Sequence, residues 1–391
     1  MYKFLATARK LPLRQIFLRA KYVCRGRVIT LHPRGPALGR VLISYTTLPF
    51  LDTREVTMGG HSNRWECRQI ANTFLERGYI VDVINPYNTS FKPKHRYNFC
   101  IDVEYALDRL APLLNEDCVR IFYATAAHWL FWNMAEDSRL LDIQRRRGAT
   151  IMPKRPAPPT RAPDVAHVLS SLCGEFPEST YHFLGKPIHY IPVSSSHMYP
   201  RPEKNFDAVR KQFIWFAGPG AVRKGLDIAL EAFAGMPEYT LIVCGKYGGE
   251  QDFCDVFKKE LQDTPNIKAV GAMDPESDEF KAILNSSLGI VYPSSAEGCA
   301  TSVLLTMHAG LIPIVSKETG VGTGEFGIML KDCSIETVRD AVRSLAVEPA
   351  EQLKRRANAT WEYVRSRHTR ENFARHYSSF VDMLEQTNGK R

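Results

Sequence analysis

Between Met1 and Arg40 there is no aspartate and no glutamate. The same stretch holds ten lysines and arginines (Lys3, Arg9, Lys10, Arg14, Arg19, Lys21, Arg25, Arg27, Arg34 and Arg40), a charge of +10 against +9 for the whole 391-residue chain, so the remainder nets −1. Binding to nucleic acid is sustained by many phosphate-neutralising cations, and a body without cationic excess argues against that class. Also missing is any run of ~18 apolar residues able to span a bilayer. The N-terminus has no continuous apolar stretch followed by a small-residue cleavage site. Nine cysteines, an odd number, form no C-x-x-C pair, which argues against a disulfide framework or a zinc ribbon. These absences predict a cytoplasmic chain with reduced thiols. With 44% hydrophobic residues, a chain of this length predicts two cores at roughly 100 to 200 residues per domain.

Within the basic stretch, Phe4, Leu5, Leu11, Leu13, Ile16, Phe17 and Leu18 alternate with the cations. Such an arm, taken as residues 1–39, suits the inner surface of an anionic membrane; a solvated basic tail has the same composition. From residue 40 the chain alternates. RVLISYT, the helical spacing of RQIANTFLERGY and IVDVI make a strand, helix, strand unit, and YNFCIDV, CVRIFYAT and SRLLDIQRRRG continue it. The segment PKRPAPPTRAPD (153–164) has five prolines in twelve residues, which excludes helix interior and central strand and predicts a surface loop. The polar stretch 200–211 reads as the linker. A clearer second series follows, through QFIWFAG, YTLIVCG, NIKAVGA, LGIVYPS, LIPIVS and FGIML with helices between them. Alternation of this kind predicts α/β architecture, two doubly wound Rossmann-like domains at 40–203 and 204–360. The apolar spacing from Trp361 to Gln386 predicts a C-terminal helical segment, 361–391, crossing back to the first domain.

Ligands of open parallel sheets bind beyond the carboxyl ends of strands. Three loops there are unusual: GPGAVRKG (218–225), GAMDPES (271–277) and PSSAEGCATS (293–302). A helix start offers unpaired N–H groups and about half a positive charge, so Cys299, Ala300, Thr301 and Ser302 suit phosphate oxygens. Arg223 and Lys224 add full charges. The competing reading of Lys224-Gly225 is an ordinary surface helix start.

On these residues the second half resembles the donor-binding domain of GT-B glycosyltransferases, specifically the large retaining, nucleotide-sugar-dependent group (glycosyltransferase family 4-like). The matching stretches are FIWFAGPGAVRKGLDIALEAF, TLIVCG, NIKAVGAM and YPSSAEGCATSVLLTMHAGLIPIVS; the first half resembles the acceptor domain through Gly59-Gly60 and LERGYIVDVI. The resemblance implies that Glu297 meets donor-sugar hydroxyls, that Gly298 beside it belongs to the donor site, and that Cys299–Ser302 address the diphosphate. Gly218, Gly220, Arg223 and Lys224 are implied as its first phosphate loop, and Ala272 and Met273 as the place of the base. On the acceptor side it implies Gly59, Gly60, His61 and His128, with His128 favoured over His61 as the catalytic histidine beside Glu297 and Lys224. No metal and no cofactor beyond the sugar-nucleotide substrate is implied, and the partners are a carbohydrate or glycolipid acceptor and an anionic membrane, with no nucleic acid. Two positions depart from the pattern. Leu305 stands where a second glutamate commonly binds ribose, and Pro219 stands where an arginine commonly follows the first glycine. The implied activity is retaining sugar transfer in surface polysaccharide or glycolipid synthesis. A sugar-nucleotide epimerase or hydrolase, or a catalytically silent protein of the same fold, are the alternatives.

Overall fold

A computed structural model describes residues 27–52, 61–172 and 174–388. The N-terminal arm up to residue 26 and the Gly59-Gly60 pair therefore lie outside the described residues.

The first domain is built on seven strands: β1 (Val28–Leu31), β2 (Gly39–Ser44), β3 (Tyr79–Ile84), β4 (Phe99–Asp102), β5 (Val119–Ala124), β6 (Val168–Ser171) and β7 (Ile188–Tyr190). Their order is β1-β3-β2-β4-β5-β6-β7. All neighbours are parallel except β1, which runs antiparallel along β3 with Val28 opposite Ile84. The arm expected over 1–39 is thus too long, because the sheet already begins at Val28. β1 is a half-exposed edge strand whose alternating burial is too short a pattern to separate from a basic tail. The central strands are buried on both faces, as helices on either side of a parallel sheet require.

The second domain contributes β8 (Gln212–Ala217), β9 (Thr240–Gly245), β10 (Ile267–Gly271), β11 (Gly289–Tyr292), β12 (Ile312–Val315) and β13 (Ile328–Met329), in the order β10-β9-β8-β11-β12-β13. All are parallel. In chain order this is 3-2-1-4-5-6, so the direction of winding reverses between β8 and β11, and the crevice between the loops leaving these two strands is the expected ligand position.

The helix Ala350–Arg367 packs on the second domain, and its successor Arg370–Asn388 crosses to the first. There Phe373 meets Trp65 edge-on at 5.9 Å, Tyr377 meets Phe74, and Asp382 pairs with Arg77. The return to the first domain starts near His368, later than the expected Trp361. Its imidazole Nδ1 lies 3.0 Å from the Val193 carbonyl, and its own carbonyl accepts the Ser195 N–H.

A second seam joins the domains on the other side. The helix Trp129–Arg147 of the first domain lays Arg139, Arg146 and Arg147 against Asp227, Glu231 and Glu260 of the second. Backbone meets backbone at Gly298, where an added Cβ would lie 2.2 Å from the Thr125 carbonyl oxygen. Among the described residues no helix is long and apolar enough to cross a membrane.

Candidate active site

A cavity of about 500 Å³ lies between the domains, at the carboxyl ends of both sheets. Its second-domain wall is Lys224, Tyr292 and the run Glu297–Ser302; its first-domain wall includes Tyr45, His61, Glu66, Glu104, His128 and Trp132.

Lys224 is placed by three devices. β8 carries Trp215, whose indole N–H donates to the Lys224 carbonyl at 3.0 Å. Gly225 has φ +74°, and a Cβ there would strike the Pro293 carbonyl at 2.2 Å, so only glycine lets the two loops approach. Ser294 and Ser295 then donate to the Arg223 carbonyl. The loops after β8 and β11 are stitched into one surface.

Glu297 is the centre of that surface. Its Oε1 lies 2.9 Å from Lys224 Nζ, 3.1 Å from Arg223 Nη1 and 3.3 Å from the Tyr292 hydroxyl. Burial alone would raise the carboxyl, but Lys224 and then Arg223 outweigh it and bring it down to about 2. Burial, reinforced by Arg223 and Arg155 and opposed by Glu297, lowers Lys224. The cations around the acid outnumber it, which leaves an ionised carboxylate in a positive field.

Arg223 does not face the cavity as expected. It is fully buried, with its guanidinium 3.8 Å above the Trp132 ring and Nη1 donating to the Ala296 carbonyl at 2.5 Å. A desolvated cation over tryptophan contributes about 2 kcal/mol. Its place is behind Glu297, holding that carboxylate.

The Gly218–Gly220 loop is a second correction. The Glu250 carboxylate accepts from Gly220 N at 2.6 Å and from Ala221 N at 3.1 Å. The amides expected to receive diphosphate already hold an anion from the chain itself. Neither Gly218 nor Gly220 lines the cavity, and neither do Ala272 and Met273.

In the third loop, Cys299 to Ser302 do line the cavity, but the Ala300 N–H is taken by the Thr319 carbonyl at 2.9 Å. Thr301 opens the helix Thr301–Met307, whose Val303, Leu304 and Met307 are buried in the core. Leu305 is 5% exposed and packs there too.

His61 and His128 both line the cavity, so the choice between them is not one of position. Each is a helix N-cap. His61 Nδ1 accepts from Asn63 N at 3.2 Å and His128 Nδ1 from Leu130 N at 3.4 Å. That contact assigns the neutral tautomer with the proton on Nε2. The surrounding protein, then Arg64, Lys224 and Arg155, push His61 down to about 4. Burial lowers His128. Both are neutral hydrogen-bond donors near pH 7.

Sequence reasoning missed Tyr292, Trp132, Glu66 and Arg155. Tyr292 was findable as the residue ending LGIVY just before the loop, and Arg155 as the cation inside the proline-rich segment. Glu66 carried no signal. It is fully buried, accepts at 2.8 Å from both Ser194 N and Oγ, and burial pushes it up to about 7.

Residues 201–361 match the family model described as glycosyl transferases group 1. Over 164 residues, 38% of this chain, the sequence is 27% identical to a GDP-mannose:cellobiosyl-diphosphopolyprenol alpha-mannosyltransferase of Xanthomonas campestris. The match spans 41% of that relative, less than half its length. Among solved structures, sucrose-phosphate synthase from Thermosynechococcus elongatus superposes with a TM-score of 0.61 at 14% identity, covering 90% of this chain and 100% of that one. Anabaena HepE, in complex with UDP and glucose, gives 0.56 at 11% identity over 89% and 100%. These likenesses establish the fold.

Proposed function

We propose that this chain, a GT-B protein whose residues 201–361 form a group 1 glycosyltransferase domain, moves a sugar from a nucleotide-diphosphate sugar to an acceptor hydroxyl. The observation that carries the reading is the pair at the base of the interdomain cavity, ionised Glu297 held 2.9 Å from Lys224. Glu297 accepts hydrogen bonds from donor-sugar hydroxyls. Lys224 neutralises the diphosphate as it leaves, an electrostatic contribution made where charge develops. The bond from the anomeric carbon to the phosphate oxygen breaks, and a bond to the acceptor oxygen forms on the same face. The acceptor proton passes to the departing phosphate, and the configuration is retained. His61 and His128 donate from the acceptor wall. In this mechanism Lys224 supplies the positive charge and no metal is assigned a step.

The printed name of the Xanthomonas relative gives it a diphosphopolyprenol acceptor, which supports a lipid-linked acceptor and a role in polysaccharide or glycolipid synthesis here. The seven cations before residue 27 would hold the chain peripherally on the inner, anionic face of a membrane. A second reading, a catalytically silent binding protein, is favoured by Glu250 on the loop amides and by Leu305 in the core.

The test is a panel of sugar nucleotides offered with and without polyprenol-linked saccharides, with product anomers assigned by NMR. Transfer with retained configuration is the expected result. An inverted product removes the retaining route, donor consumption without acceptor indicates a hydrolase or epimerase, and binding without turnover indicates the silent protein.

A further inference from the structure

The proline-rich segment predicted as a surface loop lines the cavity and is fastened to the helix Trp129–Arg147. Trp132 donates its indole N–H to the Arg155 carbonyl at 2.9 Å. Asn133 grips Ala157 twice, Nδ2 to its carbonyl at 2.9 Å and Oδ1 from its N–H at 2.8 Å. Glu136 accepts from Lys154 N at 3.2 Å, and Trp129 donates to the Thr160 carbonyl at 3.0 Å. Proline alone restricts φ and lowers the entropy that ordering costs. A segment restrained by both means holds its side chains in fixed directions, and the one it sends to the cavity wall with a charge is Arg155.

Three observations give that charge a role. Arg155 is exposed to the cavity, and among the described residues its guanidinium has no hydrogen-bond or ion-pair partner. Other groups of the expected first phosphate loop do not reach the cavity: Glu250 occupies the Gly220 and Ala221 amides, and Arg223 is buried over Trp132 and against Glu297. Finally, the Arg155 charge is felt on both walls, since it helps depress His61 in the first domain and acts on Lys224 and Glu297 in the second.

We propose that Arg155, carried by the first domain, binds the phosphoryl oxygens of the donor diphosphate together with Lys224. The inference rests on the donor reading above. It makes diphosphate binding a property of the closed pair of domains, because its two cations come from opposite walls. Guanidinium donates in a planar fork that matches two phosphate oxygens at once, whereas ammonium is a point charge.

The test is calorimetric titration of the full chain with UDP, GDP and ADP in turn, for the native protein, Arg155→Ala, Arg155→Lys and Lys224→Ala. Arg155→Ala should weaken the diphosphate that binds by about tenfold or more, the scale of a hydrogen bond to a charged group. Arg155→Lys should recover part of that loss, and the corresponding nucleoside should bind all variants equally. The melting temperature should not move, since the guanidinium holds nothing in the fold. If Lys224→Ala weakens binding and Arg155→Ala does not, the role of Arg155 is overturned while the donor reading stands. If no nucleoside diphosphate binds the native chain, both fall.

Discussion

Two loops of the second domain leave neighbouring strands and enter helices, but only one of them lines the cavity. In the loop after β8, Gly220 and Ala221 donate to Glu250. In the loop after β11, Thr301 and Ser302 stand at the cavity wall. Both sequences, rich in glycine or small residues before a helix, read equally well as anion sites. The difference is made by a carboxylate from a third segment, thirty residues downstream of Gly220. An amide cradle is a site only while nothing in the fold fills it.

The sharpest way to break the comparison is Glu297→Gln, which removes the charge from the loop that faces the cavity and keeps its shape. Turnover should fall by about a hundredfold to a thousandfold, the scale seen when one group aimed at the reacting centre is lost. Affinity for the nucleoside diphosphate, which lacks the sugar, should change far less. Steady-state kinetics beside calorimetry separate the two, and intact turnover would return Glu297 to the role of a helix-start residue.

Next in size is Leu305→Glu. The residue is 5% exposed inside the core, so an acid there is an unpaired buried charge and should cost about 3 kcal/mol or more of stability. Urea unfolding measures it. A variant as stable as the native chain would mean that this helix turns its 305 face to the ligand. Lys224→Ala should weaken nucleoside-diphosphate binding by about 2 kcal/mol, as for a lost hydrogen bond to a charged group. Equal Kd values by calorimetry would make Lys224 only a support for Glu297.

The occupied loop is tested by Glu250→Gln. The amide oxygen can still accept from Gly220 N, but the negative charge that opposes a diphosphate is gone. Affinity should rise by about 1 kcal/mol at most, the worth of a modest charge interaction near a protein surface. A loss of affinity would show that Glu250 maintains the loop for the ligand.

How far the sequence carried this reading depends on the range of the interaction. Alternating apolar runs and helix starts are local, and they marked the repeating units and both loops after β8 and β11. The order of the strands is not local: nothing in QFIWFAG or LGIVY says that β8 lies beside β11. The same holds for Arg223 and Trp132, which are 91 positions apart in different domains and meet at 3.8 Å. Spacing in the loop put Arg223 on the phosphate; packing across the domain seam turned it toward Glu297. His61, beside the Gly59-Gly60 pair, and His128, after the strand CVRIFYAT, looked like rivals, and the fold uses both as N-caps on one cavity. Leu305 was legible as a departure, and its burial explains why no acid stands there.

The smallest expected effect concerns the field between the two loops, read through a neighbour. His61 is depressed to about 4, first by its surroundings and then by Arg64, Lys224 and Arg155. His308 and His368 are depressed to the same level, chiefly by burial and with no contribution from Lys224 or Arg155. For all three, the folded state favours the neutral ring. Their contribution to stability is therefore present above the ordinary value of 6.5 and is lost as the pH falls from there through about 4, because the unfolded chain takes up protons first. Resolved Cε1–H resonances should show all three rings still neutral at pH 5.5. Replacing Lys224 or Arg155 by alanine removes a cation facing His61 alone, so its midpoint should move upward while His308 and His368 stay in place. A His61 midpoint unmoved by both variants would mean that the two cations do not share this cavity, and the difference between the filled and the open loop would lose its electrostatic basis.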